Sequence, residues 1–204
     1  MAEIHISRIG TETIMVPILG TMPLIVSRFS EKAKRQMLGA QQGVRVPKEA
    51  RDPEAEYQAA FHHTKDGYGF PVVAFKSATV GAARFFGRDV KMTELRAFIF
   101  MRGALSEKDT QALVEIHGTP RMREDVVRLA GPSRSADLRY RPEFPEWTTE
   151  LEVTYVTSSL SRDSLLSLID AGGMGIGVGE WRPERKGDFG TYCIDPSREV
   201  EVLR

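Results

Sequence analysis

The chain has very little cysteine: Cys193 is the only one among 204 residues. A single thiol excludes a disulfide framework within the chain and a cysteine-rich zinc site. We expect this thiol to be buried, as free cysteines usually are. Apolar runs are short as well, and the first ten residues lack the basic-then-apolar layout of a secretory signal. The sequence therefore predicts a cytoplasmic protein without a membrane-spanning segment.

Signatures of enzymes are also missing from the sequence. It contains no G-x-S-x-G motif and no Cys-His arrangement for acyl transfer, and no GKS or GKT follows its glycines as a P-loop requires. His62 and His63 are adjacent, with Asp66 nearby, but neighbouring residues on a strand point to opposite faces. We therefore expect no catalytic residue, no metal and no cofactor.

Net charge is absent too, because 28 basic residues balance 28 acidic ones. This average conceals two basic segments. Residues 28–51 carry seven basic residues against two acidic ones, a net charge of +5, and residues 121–141 carry six against three, a net charge of +3. A local basic patch governs attraction to a polyanion more than the overall charge does. The alternative is that both segments are ordinary solvated loops.

Hydrophobic periodicity predicts an alternation of strands and helices. Helices are predicted at residues 69–87 and 161–173, with Ser161 as a cap and Gly87 and Gly172 as the two ends. Strands are predicted at residues 3–9, extended by 13–20, and at 96–101, 112–118, 150–156 and 189–194, with an edge strand at 199–203. The order of core elements is β-α-β-β-α-β. It predicts an α+β, ferredoxin-like (RRM-like) core whose antiparallel sheet leaves one face open.

Two polar segments lie outside this predicted core. The first covers about residues 19–69 and includes a predicted helix at 30–42. The second covers residues 119–147, where prolines and arginines favour an extended, solvent-facing loop or hairpin. We therefore expect a single domain over residues 1–204 with two long insertions.

Two motifs in the chain could bind phosphate. Gly69-Phe70-Pro71 is predicted to be a turn that opens the first helix, which carries Lys76, and unpaired N–H groups at a helix N-terminus favour anions. Residues 172–190 contain seven glycines, and glycine-rich loops can wrap phosphate with backbone N–H groups. For the first motif, a well-capped core helix is the alternative.

Together these motifs resemble the RAMP superfamily, repeat-associated RNA-binding proteins that supply backbone subunits of CRISPR effector complexes. The residues that keep the two family patterns are Gly69, Pro71, Phe75, Lys76 and Ala78, then Gly175, Gly177, Arg182, Arg185, Gly187 and Gly190. Val72, Val73 and Ala74 replace the Gly-Ser-Ser of the first pattern, and Val80 replaces its arginine. Residues 139–147 and 177–190 are also similar to uncharacterised phage-encoded proteins.

The resemblance implies a non-catalytic protein that binds single-stranded RNA or DNA and forms a homo-oligomer along the strand. The implied contacts to nucleic acid are Lys76, Arg121, Arg123, Arg139, Arg141, Gly175, Gly177, Gly179, Arg182, Arg185 and Lys186. Aromatic residues among the arginines are predicted to stack on bases or to form a satellite core around Trp147; they are Tyr140, Phe144 and Trp147.

Two other functions remain open at this point. Some RAMP subunits cut RNA with a loop aspartate, so Asp52 could serve a metal-dependent ribonuclease, although an aspartate before proline is more typical of an Asx turn. The other function is that of a phage structural or assembly protein whose basic fingers bind neighbouring subunits.

Overall fold

The computed structural model describes residues 6–44, 50–88, 90–106, 110–128 and 135–204. The helices are α1 (Glu31–Gln41), α2 (Pro53–Ala59), α3 (Val72–Gly81), α4 (Met92–Phe98) and α5 (Arg162–Gly175). The strands are β1 (Thr11–Gly20), β2 (Leu24–Ile25), β3 (His62–His63), β4 (Tyr68–Pro71), β5 (Ile99–Arg102), β6 (Ala104–Leu105), β7 (Ala112–Ile116), β8 (Arg121–Arg128), β9 (Ala136–Phe144), β10 (Thr148–Val156), β11 (Tyr192–Ile194) and β12 (Glu201–Val202). Within the described ranges, no helix has the length and apolarity that crossing a membrane requires.

The largest sheet is built around β1. Its strands run antiparallel in the order β11-β1-β10-β5, and β12 also pairs with β1. Alternate residues of β1, namely Ile14, Val16 and Ile18, are fully buried, as the two-residue period of a strand requires. They share one apolar cluster with Phe75 of α3 and Leu165 of α5. The fold is therefore α+β with antiparallel sheets.

Two smaller antiparallel sheets flank this core. One has the order β3-β4-β7-β6, and the other has the order β2-β9-β8. The second contains the long hairpin β8–β9, in which eight residue pairs run from Arg121 opposite Glu143 to Arg128 opposite Ala136. The hairpin predicted within residues 119–147 is therefore confirmed.

The start of α3 differs from the prediction. Gly69, Phe70 and Pro71 belong to strand β4, which pairs with β7, and they do not form a turn. A Cβ on Gly69 would lie 2.9 Å from Cδ1 of Leu113, so the glycine serves close packing between these strands. Helix α3 begins directly after the strand, with Pro71 as its N-cap. The α-helix ends at Gly81, earlier than predicted, and a 3₁₀ turn over Ala82–Phe85 follows before Gly87, whose φ of +87° is left-handed.

Helix α5 is longer than predicted because Gly172 does not end it. Ser161 caps the helix as expected, accepting a hydrogen bond from the N–H of Ser164. The helix then continues to Gly175. A Cβ on Gly172 would lie 2.7 Å from the carbonyl of Ala78 in α3, so this glycine lets the two helices approach closely.

Two strand predictions are wrong where the structure describes them. Residues 6–9 form no strand, and Ile6 and Ile9 are exposed. The first strand lies instead at Thr11–Gly20. Residues 3–5 of the predicted strand lie outside the described ranges. The segment predicted as a strand at 96–101 begins as the end of α4 and becomes extended only at Ile99. Alternation of apolar residues alone does not supply a pairing partner.

Other local predictions have clear outcomes. Helix α1 confirms the prediction at 30–42, with Ser30 as its N-cap. Cys193 is half-buried, not fully buried. Of the basic residues in the two charged segments, Arg45, Lys48 and Arg134 lie outside the described residues.

The end of the 119–147 segment is not solvent-facing. Phe144 and Trp147 belong to the main apolar core, where both are almost completely buried. The indole N–H of Trp147 donates to the carbonyl of Met22 at 2.9 Å. These two rings are therefore not available to stack on bases, and the packing alternative for Trp147 is the correct one.

Candidate nucleic-acid interface

A cleft of about 300 Å³ lies between α3 and the glycine-rich segment that follows α5. One wall is the face of α3 between Val73 and Ala78, and the facing wall runs from Ile176 to Glu180 and includes Arg182 and Glu184. The rest of the lining consists of Ser27, His62, Phe70 and Pro71. The two sequence motifs, far apart in the chain, therefore meet at one cleft.

The N-terminus of α3 reaches this cleft without a side-chain cap. Its N-cap is Pro71, which offers no side-chain acceptor to the N–H groups of the first turn. Val73 and Ala74 of that turn line the cleft. Because the N-terminal end of a helix carries partial positive charge, this wall favours an anion.

The facing loop is held rigidly from inside. Gly177 and Gly179 have left-handed φ angles of +69° and +77°, and a Cβ on Gly179 would lie 2.6 Å from the carbonyl oxygen of Ile25. The N–H groups of Gly177, Val178 and Glu180 donate to the carbonyls of Gly172, Gly190 and Ile25. Of the predicted glycines, Gly177 and Gly179 line the cleft, whereas Gly175 is the last residue of α5. Because these N–H groups are already hydrogen-bonded, the loop serves mainly as a wall of the cleft and less as a source of hydrogen-bond donors.

Arginines neutralise both carboxylates that line the cleft. Arg182 binds Glu184 at 2.9 Å through Nη2 and donates from Nη1 to the carbonyl of Gly179 at 3.0 Å. Glu184 also lies 3.6 Å from Arg84, and Glu180 lies 3.6 Å from Arg141. Arg141 is bound more closely by Asp125, at 2.8 Å, so these three guanidinium groups face three carboxylates and leave no positive charge in excess.

The four arginines predicted on the hairpin share one face of it. In the β8–β9 register Arg123 lies opposite Arg141, and alternate residues of each strand point the same way. Acidic residues on that same face pair with each of them: Asp125 with Arg123 and Arg141, Glu143 with Arg121 and Arg123, and Asp137 with Arg139. This face is a charge network with a small positive excess.

Exposure separates these arginines into two kinds. Arg121 and Arg139 are exposed, so their guanidinium groups remain accessible to a ligand. Arg141 is 7% exposed and binds Asp125, which is 4% exposed, at 2.8 Å. The Nε of Arg141 is buried without a hydrogen-bond partner. Arg141 is therefore a structural anchor of the hairpin.

Trp181 joins the hairpin face to the glycine-rich segment. The guanidinium of Arg123 lies 5.4 Å from the centre of its ring, and that of Arg141 lies 5.9 Å away. Arg123 also lies 4.8 Å from the ring of Phe189. The sequence analysis missed Trp181 as a site residue, although an exposed aromatic residue between the glycines of a candidate phosphate loop is a usable signal.

The remaining predicted cations fall in two places. Lys76 does not line the cleft, because its Nζ donates to the carbonyl of Arg96 at 3.1 Å and lies 5.3 Å from the ring of Phe100. Arg185 and Lys186 follow the cleft-lining residues, at the end of a short 3₁₀ turn, and are exposed. Neither side chain forms a hydrogen bond or an ion pair with another residue that the structure describes.

The residues considered for enzymatic roles, Asp52, His62 and His63, lie in three different settings. Asp52 is the N-cap of α2, and its Oδ1 accepts a hydrogen bond from the N–H of Ala55 at 3.0 Å. His62 lines the cleft, whereas the ring of His63 packs against Phe61 and Tyr68. Among the described residues, no group of three or more His, Cys, Asp or Glu side chains is arranged to hold a metal ion.

No protein-family model and no curated protein sequence matches this chain. Among solved structures, it is similar to Cmr6 from Pyrococcus furiosus, with a TM-score of 0.44 and 10% identity over 92% of this chain and 100% of that one. It is also similar to a chain of the Type III-B Cmr-beta complex bound to cognate target RNA. That TM-score is 0.45, with 12% identity over 95% of this chain and 61% of the other. Both neighbours bear the name Cmr.

Proposed function

We propose that this chain binds single-stranded nucleic acid, RNA or DNA, through the sugar-phosphate backbone and without catalysis. The observation that carries the proposal is the cleft at which the uncapped N-terminus of α3 faces the glycine loop, with Arg182 at the rim. A helix N-terminus and a guanidinium are both suited to phosphate. The cleft has the size of a small-ligand pocket, so it accommodates one strand's phosphate or nucleotide and not a duplex.

Exposed cations extend this phosphate site into a track. Arg185 and Lys186 continue from the cleft wall, and Arg121 and Arg139 lie on the hairpin face. Arg123 links that face to Trp181 of the loop. A strand that leaves the cleft therefore meets positive side chains, although the chain as a whole has no net charge.

We infer that the central sheet is a ferredoxin-like core. The strand order β11-β1-β10-β5, with α3 after β1 and α5 after β10, is that of a split β-α-β unit. The open face of this sheet carries Glu150, which pairs with Arg198, and Glu152, which pairs with Arg102. We therefore place the nucleic acid at the cleft and not on the sheet face that RNA-recognition folds use.

We test the proposal with fluorescence anisotropy of labelled 20-nucleotide RNA and DNA single strands and a matching duplex at several salt concentrations. Each phosphate contact to a single strand contributes about 0.7 to the slope of log affinity against log salt. Substituting Arg185→Ala together with Lys186→Ala should flatten that slope by about 1.4 if each contacts one phosphate. The matched control is the pair Lys65→Ala and Arg88→Ala, exposed cations outside the cleft and the hairpin face.

The outcomes separate the candidate functions. An unchanged slope in the Arg185 and Lys186 variant would contradict the proposed track. Absence of any salt-dependent binding to either strand would contradict the function itself and favour the assembly-protein alternative, because an interface built on apolar contacts responds weakly to salt.

We further propose that the protein forms a homo-oligomer along a long strand. The support is the length of the β8–β9 hairpin, whose strands are exposed at Arg128 and Ala136, the ends distant from the Arg121–Glu143 pair. Sedimentation with and without a long single strand tests this, and monomers in both samples would contradict it.

A further inference from the structure

We infer that Trp181 is a stacking platform for one nucleobase beside the phosphate cleft. This inference rests on the proposed binding of single-stranded nucleic acid, and it adds a contact to the base where the proposed function invokes only the backbone. It follows from the conformation of Trp181, from what covers its ring, and from its position between two residues of the cleft.

Trp181 is held in a backbone conformation that bulky residues rarely adopt. Its φ is +54°, in the left-handed region. The loop enforces this conformation through two contacts of the Trp181 carbonyl. Its oxygen accepts a hydrogen bond from the N–H of Phe189 at 3.1 Å. The same oxygen packs against Gly187 so closely that a Cβ on that residue would lie only 1.8 Å from it. Local strain that the surroundings maintain is concentrated at functional positions.

Trp181 is 38% exposed, and two guanidinium groups lie within 6 Å of the centre of its ring. Arg123 and Arg141 are directly opposite in the hairpin register, so both guanidinium groups reach the ring from the same face of the hairpin. Phe189 contacts the ring at an angle of 71°, edge to face. We assign the ring face opposite the arginines to the stacked base, because stacking requires one uncovered face of the indole.

Trp181 lies beside the cleft in which we propose that a nucleic-acid strand binds. Glu180 and Arg182, its two neighbours in the chain, both line the cleft. A phosphate bound there therefore places an adjacent base within reach of the indole. The guanidinium groups near the ring are already paired with Asp125 and Glu143. The contact between Trp181 and a base therefore stabilises the complex mainly by stacking, and attraction of these arginines to phosphate contributes little.

The test compares a 12-nucleotide oligoadenylate RNA with a 12-unit abasic ribose-phosphate strand of the same charge. Stacking of a base on an aromatic side chain should make the wild-type protein prefer oligoadenylate by about 5- to 150-fold. Trp181→Ala should lose most of that preference and keep its affinity for the abasic strand. Trp181→Phe should keep part of the preference, because phenylalanine retains a smaller stacking surface.

Two measurements make the outcomes unambiguous. Phe86→Ala serves as the control, since Phe86 is an aromatic residue of comparable exposure, 45%, that lies outside the glycine-rich segment. The emission of the buried Trp147 in both Trp181 variants reports whether the fold is intact.

Equal affinity of wild type for the two strands would overturn the platform while leaving phosphate binding in place. Unchanged preference in a folded Trp181→Ala variant would assign base stacking to another residue and overturn the inference as well. Lack of binding to both strands would instead contradict the proposed function.

Discussion

The buried ion pair between Asp125 and Arg141 provides a quantitative test of how the hairpin is held. The two groups lie 2.8 Å apart and both side chains are more than nine-tenths buried. Removing Asp125 would leave a buried guanidinium whose other acidic neighbour, the half-exposed Glu180, is 3.6 Å away. Breaking such a pair by removing one partner costs about 3–5 kcal/mol, because an uncompensated charge stays buried. We expect Asp125→Leu to lower the free energy of unfolding by that amount.

The expected loss is large enough to measure by thermal or urea unfolding followed by circular dichroism. For a domain of this length, each kcal/mol changes Tm by about 2–4 °C, so Asp125→Leu should unfold about 6–20 °C below wild type. The double variant Asp125→Leu with Arg141→Met should recover most of the loss, because a matched apolar pair leaves no buried charge. Arg139→Met is the control on the same face, since this exposed pair with Asp137 should contribute only about 0–1 kcal/mol.

Two results would refute this reasoning. An Asp125→Leu variant within 1 kcal/mol of wild type would show that the guanidinium finds water or another partner. A double variant as unstable as Asp125→Leu would show that lost packing, and not an unpaired charge, causes the destabilisation. Because Arg141 is buried, we also expect a folded Arg141→Met variant to keep the wild-type salt slope of nucleic-acid binding.

Two further predictions concern acid stability and the glycine loop. Hydrogen bonds from Arg162 lower the pKa of Glu12 from 4.5 to about 2. The ionised Glu12 carboxylate therefore stabilises the folded protein fully above pH 4.5, and this stabilisation is lost as the pH falls through about 2. The Tm difference between wild type and Glu12→Gln should therefore shrink over that range, and a constant difference would contradict this. Gly190→Ala should destabilise the protein by more than Gly87→Ala: both have positive φ, but only at Gly190 would a Cβ meet backbone, 1.7 Å from the carbonyl oxygen of Val178. Equal urea midpoints for the two variants would contradict the packing argument.

Elements with strong local signals were predicted correctly from the sequence. Ser161 caps a helix where the sequence places it, because N-capping depends only on residues three positions apart. The alternation over 150–156 is confirmed as β10, since a half-buried strand next to the core must alternate. These features require no knowledge of distant residues.

Other features depend on contacts that local patterns do not encode. Gly172 was predicted to end a helix, but it lies within α5. The position requires glycine because the backbone of α3 passes too close to leave room for a Cβ. Phe144 and Trp147 lie among arginines in the sequence and yet are buried in the core. Their environment is set by how the hairpin packs on the rest of the chain.

The sequence by itself determined where helices and strands of strong periodicity form and where along the chain positive charge and glycine accumulate. Only the tertiary structure decided what those residues can do. Arg141 and Arg185 are chemically identical. The hairpin register buries Arg141 in an ion pair with Asp125, whereas Arg185 is exposed. Charge pairing and burial depend on distances between residues that are remote in the chain, and those distances exist only once the chain has folded.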